Sequence, residues 1–238
     1  MTTTTALVTG ANKGIGLETV RQLAGLGWTV WLGARDPELG RKAAETVRRE
    51  GGDVRPVVLD VTDDASVAAA VGTIEGADTG LDVLVNNAGI GGPATAPSET
   101  VPPDFLAVYG VNLLGPVRVT HALLPLLRRS PHGRIVNVSS GMGSFGVTTD
   151  PSRLEHGLVG LVYPSSKAAL NMVTTMYAKE LPELRINAAD PGYTATDLNG
   201  HHGTQTVEEG ATATVRAATV APDGPTGAFF GRDGFVPW

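Results

Sequence analysis

The 238-residue sequence predicts one α/β domain on a mainly parallel sheet, and three observations carry that prediction. The first is residues 5–20. Thr5 to Thr9 is a short β-branched and apolar run that breaks into glycines, after which Ile15, Val20, Leu23 and Ala24 recur at the spacing of one helix face. The second is that apolar strand-like runs alternate with helical patterns along the rest of the chain. The third is composition: 42% hydrophobic residues at this length bury a sizeable core, and one domain suffices. The 31 Gly and 16 Pro make about a fifth of the chain, below the roughly 25–30% of low-complexity sequences.

The same composition excludes several function classes. A net charge of −6, with no basic run longer than Arg48-Arg49 or Arg128-Arg129, argues against nucleic acid or an anionic membrane as partner. The absence of cysteine removes disulfides, thiolate metal sites and thiol nucleophiles, and suits a reducing compartment. Met1 to Thr5 lacks a basic stretch or an apolar core, and no run approaches the 18 or more apolar residues of a membrane span, so a cytoplasmic location is expected.

Between the first strand and helix stand Gly10, Asn12, Lys13, Gly14, Ile15 and Gly16. Glycines let the backbone approach a pyrophosphate, whose charge is met by the free N–H groups and positive end of the following helix. The spacing, Gly-x-x-x-Gly-x-Gly, equally suits plain packing of a helix on a strand. Gly27 closes the helix, and Trp28 to Gly33 reads as a second strand ending in Ala34-Arg35-Asp36. An acidic residue at that strand end would hold a ribose 2′-hydroxyl, whereas an Arg accommodates a 2′-phosphate. Arg35 alone reads as a solvated loop charge; with Lys13 it favours NADP over NAD.

A helix over 38–50 and a strand over Val54 to Leu59 bring Asp60, followed by Val61, to a strand's C-terminal end. Two readings of Asp60 stand: an acceptor for an adenine amino group, or a turn and capping residue before a helix near 65–75. Leu81 to Val85 is a fourth strand, followed by Asn86-Asn87-Ala88-Gly89, where amides can tie strand ends together and small residues let a flat ring approach. Ordinary turn chemistry is the alternative. Over 103–130 a long helix sets Asn112 among apolar residues, where it either satisfies a kinked backbone or holds a water in a site.

Gly133 to Val138 is the fifth strand and ends in Ser139-Ser140, where chemistry collects in this architecture. After a Gly-rich stretch, Gly141 to Val162, a helix opens with Tyr163-Pro164-Ser165-Ser166-Lys167. Tyr163 and Lys167 are four apart and so share a face. An ammonium there favours the phenolate and is expected to lower the Tyr163 pKa from near 10, tuning it for proton exchange with a carbonyl or alcohol oxygen. Such pairs are also common on solvated helices. Leu184 to Ala189 is a sixth strand leading to Asp190-Pro191-Gly192-Tyr193-Thr194-Ala195-Thr196. Residues 197–206 read as a polar loop. His201 and His202, as sequence neighbours without a third ligand, do not read as a metal site. A helix near 207–220 and a strand through Ala228 to Phe230 complete the sheet.

Taken together, Thr9-Gly10-x-x-x-Gly14-Ile15-Gly16, Asp60, Asn86-Asn87-Ala88-Gly89, Asn112, Ser140, Tyr163-x-x-x-Lys167 and Pro191-Gly192 resemble the short-chain dehydrogenases/reductases, in that family's order and over nearly the whole chain. The resemblance implies a Rossmann-like doubly wound sheet of seven mainly parallel strands with helices on both faces. It implies Tyr163 as general acid/base and Lys167 lowering its pKa and binding the nicotinamide ribose. Ser140 would hold the substrate oxygen, Asn112 would anchor a water linking Lys167 to solvent, and the turn through Pro191, Gly192, Thr194 and Thr196 would carry the nicotinamide amide. Asn12 to Gly16 and Gly33 to Asp36 look most like the NADPH-dependent carbonyl reductases. The expected activity is NADPH-dependent hydride transfer to a ketone or aldehyde; a cofactor-sensing or protein-binding module on the same fold is the alternative.

Ser140 and Tyr163 lie 23 positions apart, a longer gap than the family usually has. Both ends are fixed by the site, so a substrate flap is expected at 141–162, mainly Phe145 to Leu158, and it disfavours a tetramer relative to a monomer or dimer. An idle surface excursion is the alternative.

Overall fold

The computed structural model describes residues 3–238. Seven strands form one sheet in the order β3-β2-β1-β4-β5-β6-β7, and every neighbouring pair is parallel. They are β1 (Thr5–Val8), β2 (Thr29–Ala34), β3 (Asp53–Val58), β4 (Val83–Asn86), β5 (Arg134–Val138), β6 (Arg185–Ala189) and β7 (Phe229–Phe230). Between them run α1 (Gly14–Gly25), α2 (Pro37–Arg49), α3 (Asp64–Gly76), α4 (Pro103–Tyr109), α5 (Gly115–Leu127), α6 (Phe145–Thr148), α7 (Val162–Glu180) and α8 (Val207–Ala218).

Strand alternation divides the core between the two faces. Ala6, Val8, Val30 and Leu32 pack with Val20, Leu23, Ala44 and Ala217 from α1, α2 and α8. Leu7, Trp31, Leu84 and Ile135 pack with Ile74, Leu123 and Leu127 from α3 and α5, and with Ala178 from α7. Because both faces are covered, the inner strands read as continuous apolar runs rather than alternating ones. The strand order reverses at β1/β4, and the C-terminal ends of β1, β4, β5 and β6 open on one side. That is where a parallel α/β sheet places its ligand.

The helix expected over 103–130 is continuous but not uniform. Residues Gly110–Leu114 form a π-turn between α4 and α5, in which the Gly115 N–H reaches the Gly110 carbonyl. Asn112 sits inside it, fully buried, and its side chain donates to the Ile90 carbonyl and to Ser166 Oγ, both from Nδ2, while Oδ1 accepts the Ile90 N–H. A π-turn inserts one residue into the helix and so re-aims the side chains around it. The stretch at 141–162 is folded: a 3-10 turn at Gly141–Gly143, α6, and a second 3-10 turn at Leu154–Gly157. The chain's last residues reinforce it. Ser144 Oγ donates to the Pro237 carbonyl, the Gly146 N–H to the Trp238 carbonyl, and the Trp238 ring stacks on Phe229 at 5.1 Å.

Candidate active site

The glycine turn is held open by its neighbours. Gly10 and Gly14 have left-handed φ of 61° and 56°, and a Cβ on Gly10 would meet Ala88 Cα at 2.8 Å. Only glycine fits there. Asn87 fixes the turn to β4: its Nδ2 donates to the carbonyls of Thr9 (2.9 Å) and Gly10 (3.1 Å), and Thr9 Oγ1 accepts the N–H groups of Asn87 and Ala88. Asn86 points into the sheet instead, donating to Asn137 Oδ1 and Thr120 Oγ1. Thr196 faces Gly14 from the opposite wall, its Cγ2 3.7 Å from a Cβ built on that glycine. The result is a cleft walled by Gly10 to Gly16, Asn87 to Gly89 and Pro191 to Thr196, with the N-terminal end of α1 at its base. Its small residues, left-handed glycines and free helix N–H groups fit a dinucleotide.

The cations expected at the adenosine end differ in their surroundings. Arg35 is exposed and close enough to Asp60 to help lower that carboxyl. Lys13 is ion-paired with Asp197, which also holds His201 at 2.7 Å. Asp60 Oδ1 accepts both the N–H and the hydroxyl of Thr62, and those bonds chiefly hold its carboxyl low. The turn reading of Asp60 therefore describes one of its oxygens. Asp63, not Asp60, caps α3. Val61 is buried against Gly115.

Two adjacent serines at the end of β5 have different fates. Ser139 is 2% exposed, and its hydroxyl is spent on Asn171 Oδ1 at 2.5 Å. Ser140 stands beside Tyr163, near enough to pull the phenol's pKa down, and its hydroxyl accepts the Met142 N–H at 3.2 Å. One turn along α7, Lys167 donates to the Val138 carbonyl at 2.8 Å, with its Nζ 5.7 Å from the centre of the Tyr163 ring. A Cβ on Gly89 would lie 3.7 Å from that Nζ, so the lysine looks across at the Ala88-Gly89 wall.

The expectation that Lys167 depresses the Tyr163 pKa needs correction. Burial pushes Tyr163 up to about 12, the Ser140 hydrogen bond pulls it back in part, and the Asp190 charge raises it. Burial likewise pulls Lys167 down to about 8, opposed by Asp190. For both groups the cost of burying a charge outweighs the neighbouring charges and hydrogen bonds. Asn112 bears out the reading of an amide that satisfies backbone: its side chain is bonded to Ile90 and to Ser166 and braces the wall beside Lys167.

Pro191, Gly192, Thr194 and Thr196 form the wall after β6. Gly192 is left-handed (φ 68°), Thr194 Oγ1 donates to the Pro191 carbonyl, and Thr196 caps a 3-10 turn at Asp197–Asn199. His201 and His202 are exposed, and among the described residues no group of three His, Cys, Asp or Glu is arranged to hold a metal.

A model of the short chain dehydrogenase family matches residues 4–206. The chain belongs to that family. It is 37% identical over 301 residues to (-)-isopiperitenone reductase of Mentha piperita, covering 96% of each chain. It is 34% identical over 275 residues to human carbonyl reductase [NADPH] 1, covering 98% of each. Both alignments are longer than the 238 residues present here, so both relatives carry segments that this family member lacks. Among solved structures, the NADPH-bound carbonyl reductase from chicken fatty liver superposes with a TM-score of 0.87 at 29% identity and full coverage of both chains. Salutaridine reductase from Papaver somniferum gives 0.84 at 30% identity, covering 95% of this chain and 99% of that one. No helix among the described residues of this family member is long and apolar enough to cross a membrane.

Proposed function

We propose that this short-chain dehydrogenase is an NADPH-dependent carbonyl reductase. The observation that carries the reading is the meeting of Ser140, Tyr163 and Lys167 at the mouth of a glycine-walled cleft. NADPH, when bound, supplies the hydride. The residues do the rest. Gly10, Asn12, Gly14, Ile15 and Gly16 bring backbone N–H groups to the pyrophosphate, and Lys13 and Arg35 meet the 2′-phosphate. Asp60 and Val61 border the adenine, and Asn87, Ala88 and Gly89 flank the ring system. Pro191, Gly192, Thr194 and Thr196 position the carboxamide end. Tyr163 is held as the neutral phenol at neutral pH and gives its proton to the carbonyl oxygen as that oxygen gains charge. Ser140 donates to the same oxygen and strengthens as charge develops. Lys167 binds the ribose from beside the Tyr163 ring.

Support for NADP comes from Lys13, Arg35 and the absence of a carboxylate at Ala34, and from the NADPH of the human and chicken carbonyl reductases that the chain resembles. The stretch 141–162 is read as one side of the substrate pocket. It presents exposed Phe145, Leu154, Leu158 and Val159 on a folded support, which suits apolar carbonyl compounds. The test is a panel of ketones, aldehydes and quinones monitored by NADPH consumption. Turnover of at least one class is expected. NADPH binding without turnover of any would favour a cofactor-sensing module.

A further inference from the structure

The residue before Pro191-Gly192 is a carboxylate that the site described so far does not use. Asp190 follows the last residue of β6, and its Oδ1 accepts the Gly192 N–H at 3.0 Å. Its Oδ2 lies against Gly141, the residue after Ser140, whose N–H helps to hold the carboxyl down. A Cβ on Gly141 would meet Asp190 Oδ2 at 3.1 Å and Glu155 Oε1 at 3.0 Å, so that glycine is what lets the carboxylate close on its backbone. One side chain thus spans the turns after β5 and β6, the first carrying Ser140 and the second flanking the cofactor cleft.

We infer that Asp190 is a positioning residue for carbonyl reduction, holding the Ser140 turn in register with the Gly192 turn through one carboxylate hydrogen-bonded to the Gly192 backbone and packed against that of Gly141. The inference rests on the reading of Ser140, Tyr163 and Lys167 given above. A peptide N–H on a carboxylate makes a charge-assisted bond, stronger than one between neutral groups, and the second oxygen set against Gly141 completes the clamp. The groups facing it are Lys167 and Tyr163 from α7 and Glu155 from the 3-10 turn at Leu154–Gly157. Burial raises the Asp190 carboxyl and the nearby Glu155 raises it further, while the Gly192 and Gly141 N–H groups and the Lys167 ammonium oppose that. The clamp also has an electrostatic consequence. The Asp190 charge favours the protonated forms of both Tyr163 and Lys167, which are the forms reduction requires.

Asp190→Asn keeps the volume and one acceptor but turns an amide donor toward a peptide donor. Three results are expected from it. Amide hydrogen exchange, followed by mass spectrometry on peptides covering 139–144 and 190–194, should speed up in both segments. The kcat/KM for ketone reduction should fall by about 10–100-fold, as for a displaced catalytic group. The basic limb of its pH profile should move to lower pH, because Lys167 near 8 and Tyr163 near 12 both lose a neighbour that holds their protons. Gly141→Ala serves where Asp190→Asn does not fold. It crowds the carboxylate but keeps its charge, so the rate should drop and exchange should rise while the limb stays in place. Wild-type exchange in both segments of the Asn variant, or a wild-type rate in the folded Ala variant, would overturn the inference. A wild-type protein that turns over no carbonyl compound would overturn the functional reading instead, and the exchange result would still decide the clamp.

Discussion

Tyr163 shows how strongly burial bears on the reactive form of a side chain. With its pKa pushed up to about 12, the phenol is a proton donor throughout the physiological range. Tyr163→Phe removes that proton and little else. The expected result is a fall in kcat of about 10²–10⁴ with NADPH affinity, read by fluorescence titration, unchanged; a near-normal kcat would show that another group is the acid. The adjacent serines separate in the same way. Ser140→Ala should cost about 10²–10³ in kcat/KM through loss of a donor to the developing oxyanion. Ser139→Ala should instead leave Asn171 with a lost partner and lower the melting temperature, at a cost on the order of 1–3 kcal/mol, while turnover persists. A larger kinetic loss at Ser139 would reverse the assignment. Local sequence placed both serines at the strand end without saying which way each faced, and only the family resemblance favoured Ser140. The outcome depends on Asn171 reaching back from α7, a contact between residues 32 positions apart. Cofactor choice is the third residue-level matter. Ala34→Asp with Arg35→Ala should move preference from NADPH toward NADH, and equal or better kcat/KM of the unmodified protein with NADH would contradict the reading of Lys13 and Arg35.

The strands and helices were legible to within a few residues because period-2 and period-3.6 patterns are written locally, as at β1 and α1. Three features were not. The π-turn at Gly110–Leu114 leaves no mark on an apolar pattern that a regular helix would also satisfy. The Lys13–Asp197 pair joins the glycine turn to the opposite wall, so a cation expected to be open to phosphate already has a competing carboxylate. The third is the support of 141–162 by the C-terminal residues, through Ser144, Gly146 and Trp238. That support matters for any test of the segment. Removing Asp150 to Leu154 spares α6, Glu155 and the tail contacts, and takes away only the outer part of the excursion. The deletion should change KM by several-fold across the carbonyl panel and leave NADPH affinity unaltered, since the cofactor cleft lies on the other side of Ser140. Unchanged substrate kinetics would make the excursion an idle one. The same segment lies beside the start of α7, so a monomer or dimer is expected in light scattering, and a tetramer would contradict that expectation.

On the scale of the whole molecule, the site belongs to no single element. Thr9 and Gly10 follow β1, Asn87 to Gly89 follow β4, Ser140 follows β5 and Asp190 to Gly192 follow β6. These strand ends meet only when the sheet is assembled, so a ligand in the cleft binds the native state and has no comparable site in the unfolded chain. Stability then rises with ligand as RT ln(1 + [L]/Kd), about 2.7 kcal/mol at a hundredfold excess over Kd. For a chain of this size each kcal/mol moves the melting temperature by roughly 2–4 °C. NADPH at a hundred times its Kd should therefore raise the melting temperature by about 5–10 °C in scanning calorimetry. NADH at the same concentration should raise it less, because it has no 2′-phosphate to draw Lys13 from Asp197 or to engage Arg35. Exchanging Asp197 for Asn frees Lys13 beforehand and should widen the gap between the two cofactors. An NADH shift equal to that of NADPH in the unmodified protein would mean that the two cations contribute nothing to cofactor binding.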